Sequence, residues 1–78
     1  MDDILKKFGQ RLKELRKNKG LTQKEMADIM GMTDRNYQRF EYGKINVPAK
    51  TLAFFADFFG VTTDYLLGRS EPPTQERE

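Results

Sequence analysis

The chain has 78 residues, with 14 Lys or Arg against 12 Asp or Glu and neither cysteine nor histidine. That length allows one domain, near the lower limit at which an apolar core alone, supplying ~3–5 kcal/mol, holds a fold. The composition excludes a disulfide framework, a thiolate metal site and a cysteine nucleophile; it also lacks the commonest general base and zinc ligand, so neither metal nor cofactor is expected.

The formal charge of +2 hides an asymmetry. Residues 1–50 carry twelve basic and seven acidic side chains, whereas residues 51–78 carry two and five. A basic front and an acidic rear suit a protein that turns one face to a polyanion, although any lysine-rich helical protein has solvated charged faces. Met1 to Phe8 is acidic and then basic, and no long apolar run follows. Neither a signal peptide nor a membrane span is read there, and a soluble, cytoplasmic protein is expected.

The first helix is predicted from about Asp3 to Asn18. Leu5, Phe8, Leu12 and Leu15 recur at helical spacing as its buried stripe. Asp2 and Asp3 favour its start, and Lys17 and Lys19 its end. Gly9 is an interior glycine, costing roughly 1 kcal/mol against alanine, which marks a close helix crossing.

From Gly20 to Lys44 the chain reads as two short amphipathic helices joined at Gly31-Met32-Thr33. The first, about Gln23 to Met30, is capped by Thr22, with Glu25 as the reciprocal half of a capping box and Leu21 and Met26 as a staple. Met26, Ala27, Ile29 and Met30 are its apolar positions, read as core rather than as an adaptable groove. The second, about Asp34 to Tyr42, repeats the pattern with Met32, Thr33 and Tyr37. Gly31 and Gly43 fall where left-handed stop residues belong. Two helices joined by so short a turn containing glycine form a helix-turn-helix unit.

Ile45 to Val47 connect to a fourth helix, with Pro48 expected at its first position and Leu52, Phe55, Ala56 and Phe59 on one face. Gly60-Val61-Thr62 repeats stop, staple and cap, opening a short fifth helix through Leu67 that Gly68 closes. Five of the six glycines thus sit at expected helix ends. The remaining RSEPPTQERE is charged, contains two prolines and reads as a disordered tail at 69–78, leaving 1–68 as the domain.

The stretch 20–44 resembles the helix-turn-helix of the phage Cro and repressor (Xre-like) family. The resemblance rests on Gln23 opening the first helix, Ala27 at the close packing point, Gly31 in the turn, Tyr37 and Phe40 inside the second helix, and the closing Glu41-Tyr42-Gly43-Lys44. It runs from about Leu5 to Gly68 and implies an all-α, compact five-helix, lambda-repressor-like fold. The implied function is a sequence-specific, DNA-binding transcriptional regulator, a repressor on a near-palindromic operator of double-stranded DNA. It also implies that Arg16 pairs with Glu41, partly buried.

At about 100° per residue, Tyr37, Phe40 and Glu41 face the protein, while Arg35, Gln38, Arg39 and Tyr42 face outward with Asp34 and Asn36 on the flanks. Arginine reads guanine, glutamine reads adenine, and an acid accepts from cytosine. Carried over from the family, base contacts fall on Asp34, Arg35 and Arg39, assisted by Gln38 and Thr33. Asp34 is either a cytosine reader or a helix-start residue favoured by the dipole, the structural role being preferred. Phosphate contacts are expected from Gln23, as in the family, and from Lys44 and Asn46; Asn36, Tyr42, Lys24 and Arg11 complete the set.

The fourth helix has more aromatics than one face accepts. Phe54 and Phe58 form a second stripe, which Tyr65 and Leu66 extend, and this suggests a homodimer interface. It would set two recognition helices about 34 Å apart, one DNA turn. The competing reading is a protein-interaction module of the same fold, such as an antitoxin or antirepressor. Catalysis is not expected: Asp57 and Asp64 lie on exposed helix positions without a second group to act with, and no small-molecule substrate is read.

Overall fold

The computed structural model describes residues 3–70, and among them it is all-α. The helices are α1 (Asp3–Asn18), α2 (Gln23–Met30), α3 (Asp34–Glu41), α4 (Ala49–Phe59) and α5 (Thr63–Leu66). The tail expected at 69–78 lies outside the described residues from Glu71 onward, as does Asp2.

One local device starts three of the helices. Thr22, Thr33 and Thr62 are extended, and each side-chain oxygen accepts the N–H three residues on, from Glu25, Asn36 and Tyr65. At Thr22 the capping box is complete, since the Glu25 carboxylate also accepts the Thr22 N–H at 2.8 Å. Gly31 ends α2 with φ 70°, a conformation an L side chain resists, and so turns the chain directly into the cap of α3. All five glycines expected at helix ends adopt positive φ.

Pro48 corrects the expectation. It sits one position before α4, as the extended cap residue, and its carbonyl accepts the Leu52 N–H at 2.9 Å. The position before the helix tolerates a missing N–H as well as the first helical one does.

Phe55 lies at the centre of the core. Its ring meets Phe8, Phe40 and Tyr37 at centroid separations of 5.7, 5.8 and 6.4 Å. Leu12, Met26, Ala27, Ala56 and Leu66 complete the buried set, so every one of the five helices contributes. Leu5 and Leu15, read as core, are only half buried, and Ile29 on α2 is exposed.

α3 packs against both α1 and α2, and α5 against α1 and α4. The α1–α3 crossing is close. A Cβ on Gly9 would collide with the backbone carbonyl oxygens of Phe40 and Glu41. The last turn of α3 therefore lies directly on α1.

Candidate nucleic-acid interface

The two sides of α3 differ sharply. Tyr37, Phe40 and Glu41 are buried, whereas Asp34, Arg35, Asn36 and Arg39 are exposed and Gln38 is half exposed. Tyr42, the residue that closes the helix, is 56% exposed. Hydrophobic burial of one side thus fixes the other toward solvent, with two guanidinium groups and an amide on it. Asp34 stands in the first turn, where the helix dipole favours its charge, and it forms no ion pair with Arg35 among the described residues.

Behind α3 a polar network fixes the helix to its neighbours. Arg16 on α1 grips Glu41 with two donors, Nε to Oε2 at 2.5 Å and Nη2 to Oε1 at 3.1 Å. Another Arg16 nitrogen, Nη1, donates to the Leu21 carbonyl just before α2 at 2.8 Å. The ion pair implied by the resemblance is present, and it is buried rather than partly so.

Two further members were not foreseen. The Tyr37 hydroxyl donates to Glu41 Oε2, and Gln23 Nε2 donates to Oε1 at 3.0 Å. Helical periodicity marks Tyr37 only as an apolar core residue, yet its spacing of four from Glu41 places the two on one helical face. The Gln23 contact joins the two ends of the helix-turn-helix and had no local signal.

A carboxylate offers about four lone-pair sites, and here all are used. Burial alone would raise the Glu41 pKa, but the hydrogen bonds from Arg16, Tyr37 and Gln23 outweigh it, so the carboxyl is held below its ordinary value. Burial, and then the bond to Glu41, push the Tyr37 phenol well above its own. Glu41's hydrogen bonds likewise raise Arg16, against its desolvation. The pair is therefore charged throughout the neutral range.

Of the expected phosphate contacts, Lys24, Asn36, Lys44 and Asn46 are exposed, and Tyr42 is too. Lys44 follows directly on α3, its N–H bonded to the Arg39 carbonyl at 2.9 Å. Gln23 is half exposed, with one amide donor already given to Glu41. Arg11 is a correction. Its guanidinium lies 4.4 Å over the Tyr65 ring, and Nη1 donates to the Tyr65 and Ser70 carbonyls at 2.5 and 2.9 Å. The α1–α5 packing draws this side chain to the last turn of α5, where the helix dipole favours a cation.

The aromatic stripe divides in a similar way. Phe54 is 38% exposed, and its ring stacks on that of Phe58 at 5.7 Å and 18°. Phe58 is half buried, with Lys19 Nζ 5.5 Å over its ring. Tyr65 is half buried beneath Arg11. Leu66 is wholly buried, because the short α5 needs one large side chain in the core to hold it; it cannot meet a second copy.

Comparison with known proteins agrees with this geometry. The family model described as "Helix-turn-helix domain" matches residues 9–70. The chain is 45% identical over 60 residues to the SPbeta prophage-derived uncharacterized HTH-type transcriptional regulator YonR of Bacillus subtilis, covering 77% of this chain and 56% of that protein. It is 38% identical over 64 residues to the HTH-type transcriptional regulator ImmR of the same organism, covering 82% and 50%. The chain thus spans about half the length of the curated relatives it matches. Among solved structures it is similar to the DNA-binding domain of BldD. The S. venezulae domain superposes with a TM-score of 0.68 at 27% identity, covering 82% of this chain and 96% of that one. A crystal structure of the DNA-binding domain of BldD gives 0.72 at 26%, covering 86% and 97%.

Proposed function

We propose that this chain, which belongs to the Cro- and Xre-type helix-turn-helix family, binds double-stranded DNA sequence-specifically and regulates transcription by occupying an operator as a dimer. One observation carries the reading. The outer side of α3 presents Arg35, Gln38 and Arg39 to solvent with no carboxylate paired to them among the described residues, on a helix anchored from behind. Arginines at this spacing on a rigid helix suit guanine edges in a major groove, and Gln38 suits adenine. Thr33 stands at the same end, its hydroxyl proton still free to donate while its oxygen caps the helix.

Phosphates would flank the groove. Gln23 and Lys24 at the start of α2, and Asn36, Tyr42, Lys44 and Asn46 about α3, supply donors for the backbone on either side. The relatives' description as transcriptional regulators supports the regulatory role, and repression by occupancy needs nothing beyond binding. Phe54 and Phe58 form the apolar face on which a second copy would pair, with the half-buried Tyr65 of α5 as a further candidate contact. The stacked, accessible Phe54 ring supports that placement.

Selection of bound fragments from random duplex DNA tests the proposal. The expected product is an inverted repeat with half-sites one helical turn apart, about 34 Å, and an affinity that falls steeply with salt. Recovery of no common sequence, with binding insensitive to salt, would contradict it and favour a protein partner.

A further inference from the structure

The Glu41 carboxylate sits between a buried hydroxyl and the solvent-facing amide of Gln23. Oε2 accepts from Arg16 Nε and the Tyr37 hydroxyl, and Oε1 from Arg16 Nη2 and Gln23 Nε2. Arg16 alone leaves each oxygen with room for a second donor, so it fixes the position of the carboxylate less completely than three donor groups do. Tyr37 is wholly buried on the inner side of α3, where its ring packs in the aromatic core irrespective of its hydroxyl. An unpartnered phenolic oxygen there would be costly, and a phenylalanine would fill the space as well. The hydroxyl therefore serves the carboxylate rather than the core.

Gln23 is the first residue of α2, half exposed, with one Nε2 proton committed to Glu41 and the other not. An amide that rotates freely loses side-chain entropy when it takes up a phosphate oxygen; one already oriented by a buried acceptor does not. The negative charge of Glu41 would otherwise repel that phosphate, and the bidentate Arg16 neutralises it.

We propose that the Tyr37 hydroxyl is a positioning group for DNA binding: through Glu41 it holds the Gln23 amide so that its free N–H meets a backbone phosphate. This rests on the DNA-binding reading above and names a residue that touches no DNA. The fully donated carboxylate links the hidden side of α3 to the start of α2, so a core tyrosine tunes a contact made on another helix.

The test compares the wild-type chain with Tyr37→Phe, Gln23→Ala and the double variant, titrated with the selected operator and with random duplex at two salt concentrations. Tyr37→Phe should lose roughly three- to tenfold in affinity for both duplexes, the size of one hydrogen bond. The slope of log affinity against log salt should stay as in wild type, because a neutral amide neutralises no phosphate and releases no counterion. In the double variant the loss should not exceed that of Gln23→Ala alone. Losses that multiply, or a Tyr37→Phe chain that binds like wild type, overturn the proposal while leaving DNA binding intact. A wild-type chain that binds neither duplex overturns both. Side-chain amide NMR gives a DNA-free reading. The two Gln23 protons should lie away from free-amide positions in wild type and move toward them in Tyr37→Phe, and an unchanged pair overturns the link. Should Tyr37→Phe not fold, the wild-type spectrum still decides: DNA must move the solvent-side Gln23 proton, and a pair that DNA leaves unmoved overturns the proposal.

Discussion

Glu41 and Arg16 are the residues on which the attachment of α3 depends, and their chemistry makes the attachment sensitive to acid. The carboxyl's folded pKa lies below the ordinary 4.5, which is close to its value in the unfolded chain. The pair's contribution is therefore whole above that value and is lost as the pH falls through the depressed folded one. Urea melts at successively lower pH should show the wild-type midpoint dropping below pH 4.5 more steeply than that of Glu41→Gln. Equal slopes would mean that Glu41 titrates as it does in the unfolded chain. Removing one partner is harsher. Arg16→Met should cost about 3–5 kcal/mol by leaving a buried charge, comparable with the whole stability of so small a domain. Replacing both partners by apolar residues should restore much of it.

At the scale of elements, helix ends were the most legible feature, because threonine caps and glycine stops are local chemistry read within four residues. Thr22, Thr33 and Thr62 each do what the sequence suggests, and helix boundaries move by about one residue, as at Pro48 and Tyr42. The outer side of α3 was legible for the same reason, since helical periodicity alone separates Arg35 and Arg39 from Tyr37 and Phe40. What depended on packing between distant segments was not. Arg11 could be given to phosphate because nothing near it in sequence shows that α5 returns to lie against it, and Leu66 could be given to a partner because a four-residue helix has too little periodicity to show its buried side. Gly9 is the exception, a single residue that signalled a long-range contact correctly. Gly9→Ala gains ~1 kcal/mol in helix propensity but drives a methyl into the backbone of α3, and overpacking costs typically 1–3 kcal/mol. A net fall in melting temperature is expected, since backbone carbonyls cannot yield as a flexible side chain can; a rise would place α3 farther from α1 than described.

The whole molecule puts its basic residues in the part of the chain that builds α1 to α3 and its acidic surplus in the rest. The exposed arginines of α3 and the exposed Phe54 of α4 lie on different elements, so the proposed DNA face and the proposed pairing face do not compete for the same residues. Sedimentation at high micromolar concentration, with operator present, should give a dimer that Phe54→Glu abolishes without unfolding; a wild-type monomer under all conditions would contradict pairing through α4. If α3's exposed arginines read bases, the affinity of Arg39→Ala for operator and for random duplex, measured side by side, shows it. Binding to operator should weaken by roughly 1–3 kcal/mol while binding to random DNA stays nearly constant. An equal loss on both would make Arg39 a phosphate contact and contradict the account.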